Sequence, residues 1–322
     1  MCVLLPAITA IVLVTSLTAS FAQDYPNKPI RLVVPYPPGS GTDIVGRLLA
    51  QQLKENLGQT VYVDNRPGAG ATIGTASVAK AEPDGYTILM ADLGPLAIAP
   101  HFYRQLPYDP VKELAPIGQV AVLPFLLAVH PSVPAHNVSE LIALAKAKPG
   151  KLDYASVGNG TAVHLATELF KQLAGIDIVH VPYKGSAPAL TDLVAGRISM
   201  MFVNVLSAGG FLASGQLRAL AIGTAERSPA IPKIPTVAES TLPEFRAGVW
   251  FGLLAPAGTP RPIIEKLSAA AGQVLRMPEF KAKLAEQGAE ASSSNPEEFS
   301  AYIQAEIAKW ADVIKTSGVP KE

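Results

Sequence analysis

Two short stretches of this chain share the pattern G-x-G-T: Gly39-Ser40-Gly41-Thr42 and Gly158-Asn159-Gly160-Thr161. A helix N-terminus has free backbone N–H groups and a partial positive charge, so a glycine-rich turn opening a helix attracts a carboxylate or phosphate without a lysine. One such turn is more often a plain strand-to-helix connection. The repetition changes the weighting and suggests two anion-ready loops on two facing lobes. Ser40 with Asp43 fits a capping box, with Thr42 as the alternative cap, and Asp43 reads as a cap and not a ligand contact because its charge would repel an anion. His164, in the first turn after Thr161, reads equally as a ligand contact or as packing. Asp92 follows a strand-like run and reads equally as a loop cap or as a partner for a ligand hydroxyl.

Elements that could position these residues flank each loop. Ile30 to Val34 is a short aliphatic run, and Ile44, Val45, Leu48, Leu49, Leu53 and Leu57 recur at helical spacing. Lys151 to Ser156 and the segment A-V-H-L-A-T-E-L-F-K-Q-L repeat that order of strand, loop and helix. Further strand-like runs are 60–64, 86–90, 176–181, 198–203, 217–222 and 248–255, with little polar alternation and helices between them. That arrangement predicts parallel sheets covered on both faces, with ligands outside the carboxyl ends of the strands. Pro124 interrupts two apolar runs, 117–122 and 125–129, and predicts a bend or a crossing between lobes. The Pro-rich text of 95–116 reads as an irregular surface loop. Asn137 with Glu140, and Asn295-Pro296-Glu297-Glu298, read as helix starts, while Thr259 is expected to cap a helix opened by Pro260. Trp250 and Phe251 read as core.

Other chemistries find little support. Gly68, Gly70 and Gly74 imitate a dinucleotide fingerprint, but Asn65, Arg66 and Pro67 stand where the turn should follow the strand at once. There is no G-x-S-x-G elbow, no H-E-x-x-H and no P-loop. The five histidines form no helical ligand pair, so neither a metal nor a cofactor is expected. Lys plus Arg is 26 and Asp plus Glu is 26, which leaves no basic field for nucleic acid. The 322 residues, 49% hydrophobic, are ample for two domains. Residues 1–22 are apolar and end in small residues, as a secretory signal does, although a basic start is missing. The single cysteine, Cys2, lies inside that segment, so the mature chain is expected to hold no disulfide.

Longer motifs point further. Y-P-P-G-S-G-T-D, D-N-R-P-G-A-G, P-D-G-Y-T, Y-A-S-V-G-N-G-T-A-V-H-L, V-P-Y-K-G-S-A-P-A-L-T-D and A-P-A-G-T-P together resemble the periplasmic receptors of the tripartite tricarboxylate transporter, or Bug, family over the mature chain. The resemblance implies an α/β, two-lobed periplasmic-binding-protein fold of type II, each lobe a mostly parallel sheet flanked by helices. The first lobe would comprise 23–123 and 224–322, the second 124–223. It also implies a small carboxylate in the cleft, membrane permease subunits as partners, a monomeric chain in the periplasm, and no catalysis. The ligand loops would be Tyr36 to Asp43 and Ser156 to His164, and the contacts Tyr36, Gly39, Ser40, Gly41, Thr42, Asp92, Asn159, Gly160, Thr161, His164 and Asn204. The chain departs from the family pattern at Ser40, where a second glycine is usual, and at Val203, where an acid precedes Asn204 in many relatives. Two other readings remain at this stage: a periplasmic enzyme using a nucleotide at Gly68 to Gly74, and a ligand sensor docking to a signalling protein.

Overall fold

The structure, a computed structural model, describes residues 25–229, 231–319 and 321; the apolar 1–22 segment and Cys2 lie outside the described residues. The strands are β1 (Ile30–Val34), β2 (Val61–Asn65), β3 (Thr87–Asp92), β4 (Leu114–Val129), β5 (Asp153–Ser156), β6 (Val179–Pro182), β7 (Met200–Asn204), β8 (Arg218–Ile222), β9 (Gly248–Pro256) and β10 (Glu290–Ala291). They are joined in the order β2-β1-β3-β9-β4-β7-β5-β6, with β8 and β10 added to β4. The runs followed by helices pair in parallel, β1 with β2 and β3, and β5 with β6 and β7. β4 and β9 run antiparallel to their neighbours because both carry the chain from one lobe to the other.

β4 is one continuous strand through both lobes. Residues up to Pro124 pair with β9, and Phe125 onward pair with β7 and β8. Proline has no N–H for the ladder, so its position at the change of partners leaves no backbone donor stranded. Of the bend or crossing expected at Pro124, the crossing is the one seen, within one unbroken strand. At the same place the Gly223 N–H donates to the Phe125 carbonyl at 2.7 Å and the Ala247 N–H donates to the Gly223 carbonyl at 2.8 Å.

The helices are α1 (Gly41–Leu57), α2 (Thr72–Ala79), α3 (Ala99–Phe102), α4 (Val138–Ala147), α5 (Ala162–Ala174), α6 (Ser186–Val194), α7 (Val205–Ala213), α8 (Val237–Ser240), α9 (Arg261–Arg276), α10 (Pro278–Glu286) and α11 (Pro296–Ser317). α1, α9 and α10 bury Leu49, Leu53, Leu267, Val274 and Leu284 against one face of the first lobe's strands. α6 and α7 close the outer face of the second lobe with Leu190, Leu193 and Ala208. The largest core lies between these layers, from Val33 and Leu89 through Leu127 and Phe170 to Trp250 and Trp310, and α11 packs against both β4 and α5.

Several local expectations change. The stretch 95–116, read as irregular, opens with a π-helical turn at Gly94–Ile98 and then α3, with Pro95 and Pro100 in first turns where a missing N–H costs nothing. The Thr259 hydroxyl donates back to the Pro256 carbonyl at 2.8 Å, and Pro260 occupies the N-cap position. Within segment 224–247, Thr236 bridges Ile222, and the Phe245 ring lies 5.4 Å from Phe202 and 5.9 Å from Phe170. Phe245 joins the largest core, and Ile231 and Ile234 pack against the layer of Leu126 and Ile222.

Candidate functional site

Where the two lobes meet at the ends of β3 and β5, a cavity of about 350 Å³ is lined by Tyr36, Gly70, Asp92, Phe102 and Tyr103 on one side and Asn159, Gly160 and Thr161 on the other. Thus Tyr36, Asp92, Asn159, Gly160 and Thr161 are brought together. Gly39, Ser40, Gly41, Thr42, His164 and Asn204 are not among its lining residues.

The first G-x-G-T loop stands behind the wall. Ser40 is the N-cap of α1, its hydroxyl accepting from the Asp43 N–H at 3.2 Å, while Gly39, at φ 83°, donates its N–H to Asp43 Oδ2 at 2.8 Å. The buried Asp43 carboxylate also receives Arg47 Nε at 3.0 Å and Asn65 Nδ2 at 2.8 Å. Burial alone would raise its pKa, but the hydrogen bonds from Arg47, Gly39 and Asn65 outweigh that and hold it below the usual range. Ser40 caps as expected, but the reciprocal half of a capping box is absent, because Asp43 accepts from the Gly39 N–H while the Ser40 N–H donates to the Pro37 carbonyl; Thr42 takes another role. Its hydroxyl donates to Asp92 Oδ2 at 3.1 Å.

Asp92 ends β3 with only 7% of its surface exposed. Oδ1 accepts from the Tyr36 hydroxyl at 2.8 Å and from the Gly94 N–H at 2.9 Å. Burial pushes this carboxyl above its ordinary pKa, against the three hydrogen bonds that pull it down. Tyr36 is pushed well up, by its own burial first and then by the Asp92 charge, and so stays a donor.

The second loop stands on the wall. Thr161 is the N-cap of α5; its hydroxyl accepts from the His164 N–H at 3.4 Å and donates to the Gly158 carbonyl at 2.8 Å. The two G-x-G-T loops are therefore out of register, since the cap is the second residue of one and the fourth of the other. His164 Nδ1 accepts the Gly160 N–H at 3.1 Å, which takes that donor away from a ligand. Its ring stacks on His180 at 3.9 Å, and His180 stacks on Tyr154 at 4.9 Å. Burial, then the neighbouring His180, pushes the His164 pKa down to about 4, so a neutral ring braces the loop. The Asn159 amide has no hydrogen-bond partner among the described residues.

Among the lining residues that sequence reasoning did not name as carboxylate contacts are Gly70, Phe102 and Tyr103. A faint signal existed for the first, in R-P-G-A-G-A, where Ala69 (φ 45°) and Ala71 (φ 74°) adopt a backbone that alanine avoids. Phe102 lies where a Cβ on Gly160 would be, which puts the lobes in contact at this point. Gly68 and Gly74 need no nucleotide, because a Cβ would meet Ile73 at 2.7 Å in one case and the Arg66 carbonyl at 2.6 Å in the other. Val203 lies in the apolar layer with Leu126, Ala155 and Ala208, and Asn204 caps α7 by accepting from the Ser207 N–H at 2.7 Å.

A larger cavity, about 650 Å³, opens on the opposite side of β9, whose Val249 faces the first cavity while Trp250 faces this one. It contains none of the expected ligand residues. Trp250 is core, as read, with Nε1 donating to buried Glu306 at 3.0 Å. Among the described residues no group of three His, Cys, Asp or Glu side chains could hold a metal, and no helix is long and apolar enough to cross a membrane.

Residues 45–319 match the profile of a family described as the tripartite tricarboxylate transporter family receptor, TctC. The chain is 39% identical over 298 residues to BugT of Bordetella pertussis strain Tohama I, covering 92% of this chain and 91% of that one. Among solved structures it is similar to R. palustris Rpa4515 with adipate, at 38% identity and a TM-score of 0.76, covering 93% of this chain and 100% of the other. It is also similar to MatC from Rhodopseudomonas palustris with bound malate, at 33% identity and a TM-score of 0.71, covering 90% and 100%.

Proposed function

We propose that this chain, which belongs to the tripartite tricarboxylate transporter receptor family, captures a small organic carboxylate between its two lobes and hands it to the permease subunits of such a transporter. It is a receptor and not an enzyme. The observation that carries the ligand reading is the cavity at the lobe junction, where the N-terminus of α5 and the Asn159 amide meet Tyr36 and Asp92. Adipate and malate in two solved relatives give the ligand class. Tyr36, Asp92, Asn159, Gly160 and Thr161 would contact the ligand. Gly39 to Thr42, His164 and Asn204 would hold the loops and helix starts in place. The first lobe would comprise 25–124 and 248–319, and the second 125–247, with the apolar 1–22 segment directing a monomer to the periplasm.

The energies suffice without a lysine. A charge at a partly buried helix N-terminus gains up to ~2 kcal/mol, and a hydrogen bond to a charged group about 1.5–3 kcal/mol. A few of these, less the cost of ordering, reach the roughly 8 kcal/mol of micromolar binding. A thermal-shift screen of carboxylates against nucleotides tests the reading. Carboxylates are expected to raise the melting temperature; stabilisation by nucleotides alone would overturn it.

A further inference from the structure

Among the described residues, the lining of the cavity holds one acidic side chain, Asp92, and no lysine, arginine or histidine. An anionic ligand therefore enters a space whose only formal charge is negative. The surroundings of Asp92 do not change that sign. The loop after β1 offers the Tyr36 phenol, and α1 offers the Thr42 hydroxyl, with Asp43 behind it already matched by Arg47. The turn before α3 offers the Gly94 N–H, and the Tyr108 hydroxyl is committed to the Pro95 carbonyl at 2.6 Å. β9 contributes Val249, α3 contributes Phe102, and Tyr103 follows. The second lobe contributes Asn159, Gly160 and Thr161, backed by neutral His164. Two carboxylates confined together without a cation repel strongly, and such pairs relieve the repulsion by holding one proton between them.

The geometry leaves a place for that proton. Oδ1 of Asp92 has two donors and Oδ2 has one, so an ionised Asp92 retains an acceptor position for an O–H, whereas a bare ligand carboxylate brings only acceptors. We infer that this receptor takes up a dicarboxylate together with a proton from solvent, held between Asp92 and the ligand carboxyl that lies against it. Only an O–H bond forms, and the carboxyl–carboxylate pair keeps a single negative charge. Burial raises the Asp92 pKa, and a second anion beside it pushes in the same direction. The consequence is a specificity rule: affinity for dicarboxylates without a hydroxyl rises as pH falls.

The inference rests on the carboxylate reading, and calorimetry separates the two. Adipate and succinate would be titrated into the mature chain in phosphate and in Tris at neutral pH, because the difference in heat between buffers counts protons taken up. About one proton per ligand is expected, with affinity falling about tenfold per pH unit above neutrality. Asp92→Asn retains oxygen acceptors for Tyr36 and Gly94 and should still fold, as circular dichroism would check; it should bind with no proton uptake and a flat pH profile. Tight wild-type binding with no uptake, or full uptake retained in Asp92→Asn, would overturn the inference while leaving the carboxylate reading intact. No heat with any dicarboxylate in either protein would overturn both.

Discussion

Gly160 sits at φ 69° with the Phe102 ring of the other lobe where its Cβ would be, so it carries a backbone demand and a contact demand together. A side chain at positive φ costs about 1–2 kcal/mol. The collision adds a penalty that falls only on the arrangement in which the lobes touch. Gly160→Ala is therefore expected to weaken dicarboxylate binding tenfold or more while lowering folding stability by about 1–2 kcal/mol, and Phe102→Ala in the same chain should recover part of the lost affinity. Calorimetry on the single and double variants checks it; unaltered binding by Gly160→Ala would mean that the ligand does not need this contact. Lys184→Ala, outside the cavity lining, should bind normally. His164 makes the second residue-scale prediction. Its folded pKa of about 4 lies below the unfolded 6.5, so between those values the unfolded chain binds a proton that the folded chain refuses. Stability is then full above about 6.5 and falls as pH drops toward 4, by at most about 3 kcal/mol. Urea denaturation across that window should show the fall, and His164→Gln should flatten it.

Elements divide by how locally they are determined. Strands β1, β3, β7 and β8 were legible because they are largely buried and read as mainly apolar runs with little polar alternation. The Asn137 and Asn295 helix starts were legible because capping is a contact between neighbours in sequence, and Asn295 with Glu298 forms the full reciprocal box. The G-x-G-T echo was legible as pattern but not as geometry: Ser40 caps one helix and Thr161 the other, and that offset puts one loop behind the cavity and the other on it. Phe102 and Tyr103 were not legible, since their places depend on contacts with residues far away in the chain. Glu306 is of this kind too. From α11 it accepts both indole N–H groups, Trp250 and Trp310 at 3.0 Å, and pairs with Lys309, which reaches the Arg246 carbonyl at 3.2 Å. Glu306→Ala strands two buried donors and should cost about 2–4 kcal/mol, with Glu306→Gln costing less, measured by the urea midpoint. At Gly252 of β9 a Cβ would collide with the Phe299 ring of α11, so Gly252→Ala is expected to destabilise by about 1–3 kcal/mol through overpacking.

At the scale of the molecule, the lobes are joined by β4, by the chain entering β9 at Gly248, by α11 lying across both and by the core that runs from Leu89 to Phe170; they also meet around the cavity, through contacts such as Phe102 on Gly160. Few backbone strands cross, so rotation about Pro124 and Gly248 can separate the lobes without disrupting either sheet. A ligand held by donors from both sides favours the closed arrangement only by its differential affinity for it. Two measurements then go together. The radius of gyration from solution scattering should fall when dicarboxylate is added, and stability should rise by about 2.7 kcal/mol at a hundredfold excess over Kd. Because no lysine or arginine lines the cavity, affinity should depend only weakly on salt. Stabilisation of the expected size with an unchanged radius would mean that the cavity is already closed before ligand arrives. In that case Gly160→Ala, which obstructs closure through Phe102, should enlarge the radius of the empty protein and restore a ligand-dependent decrease.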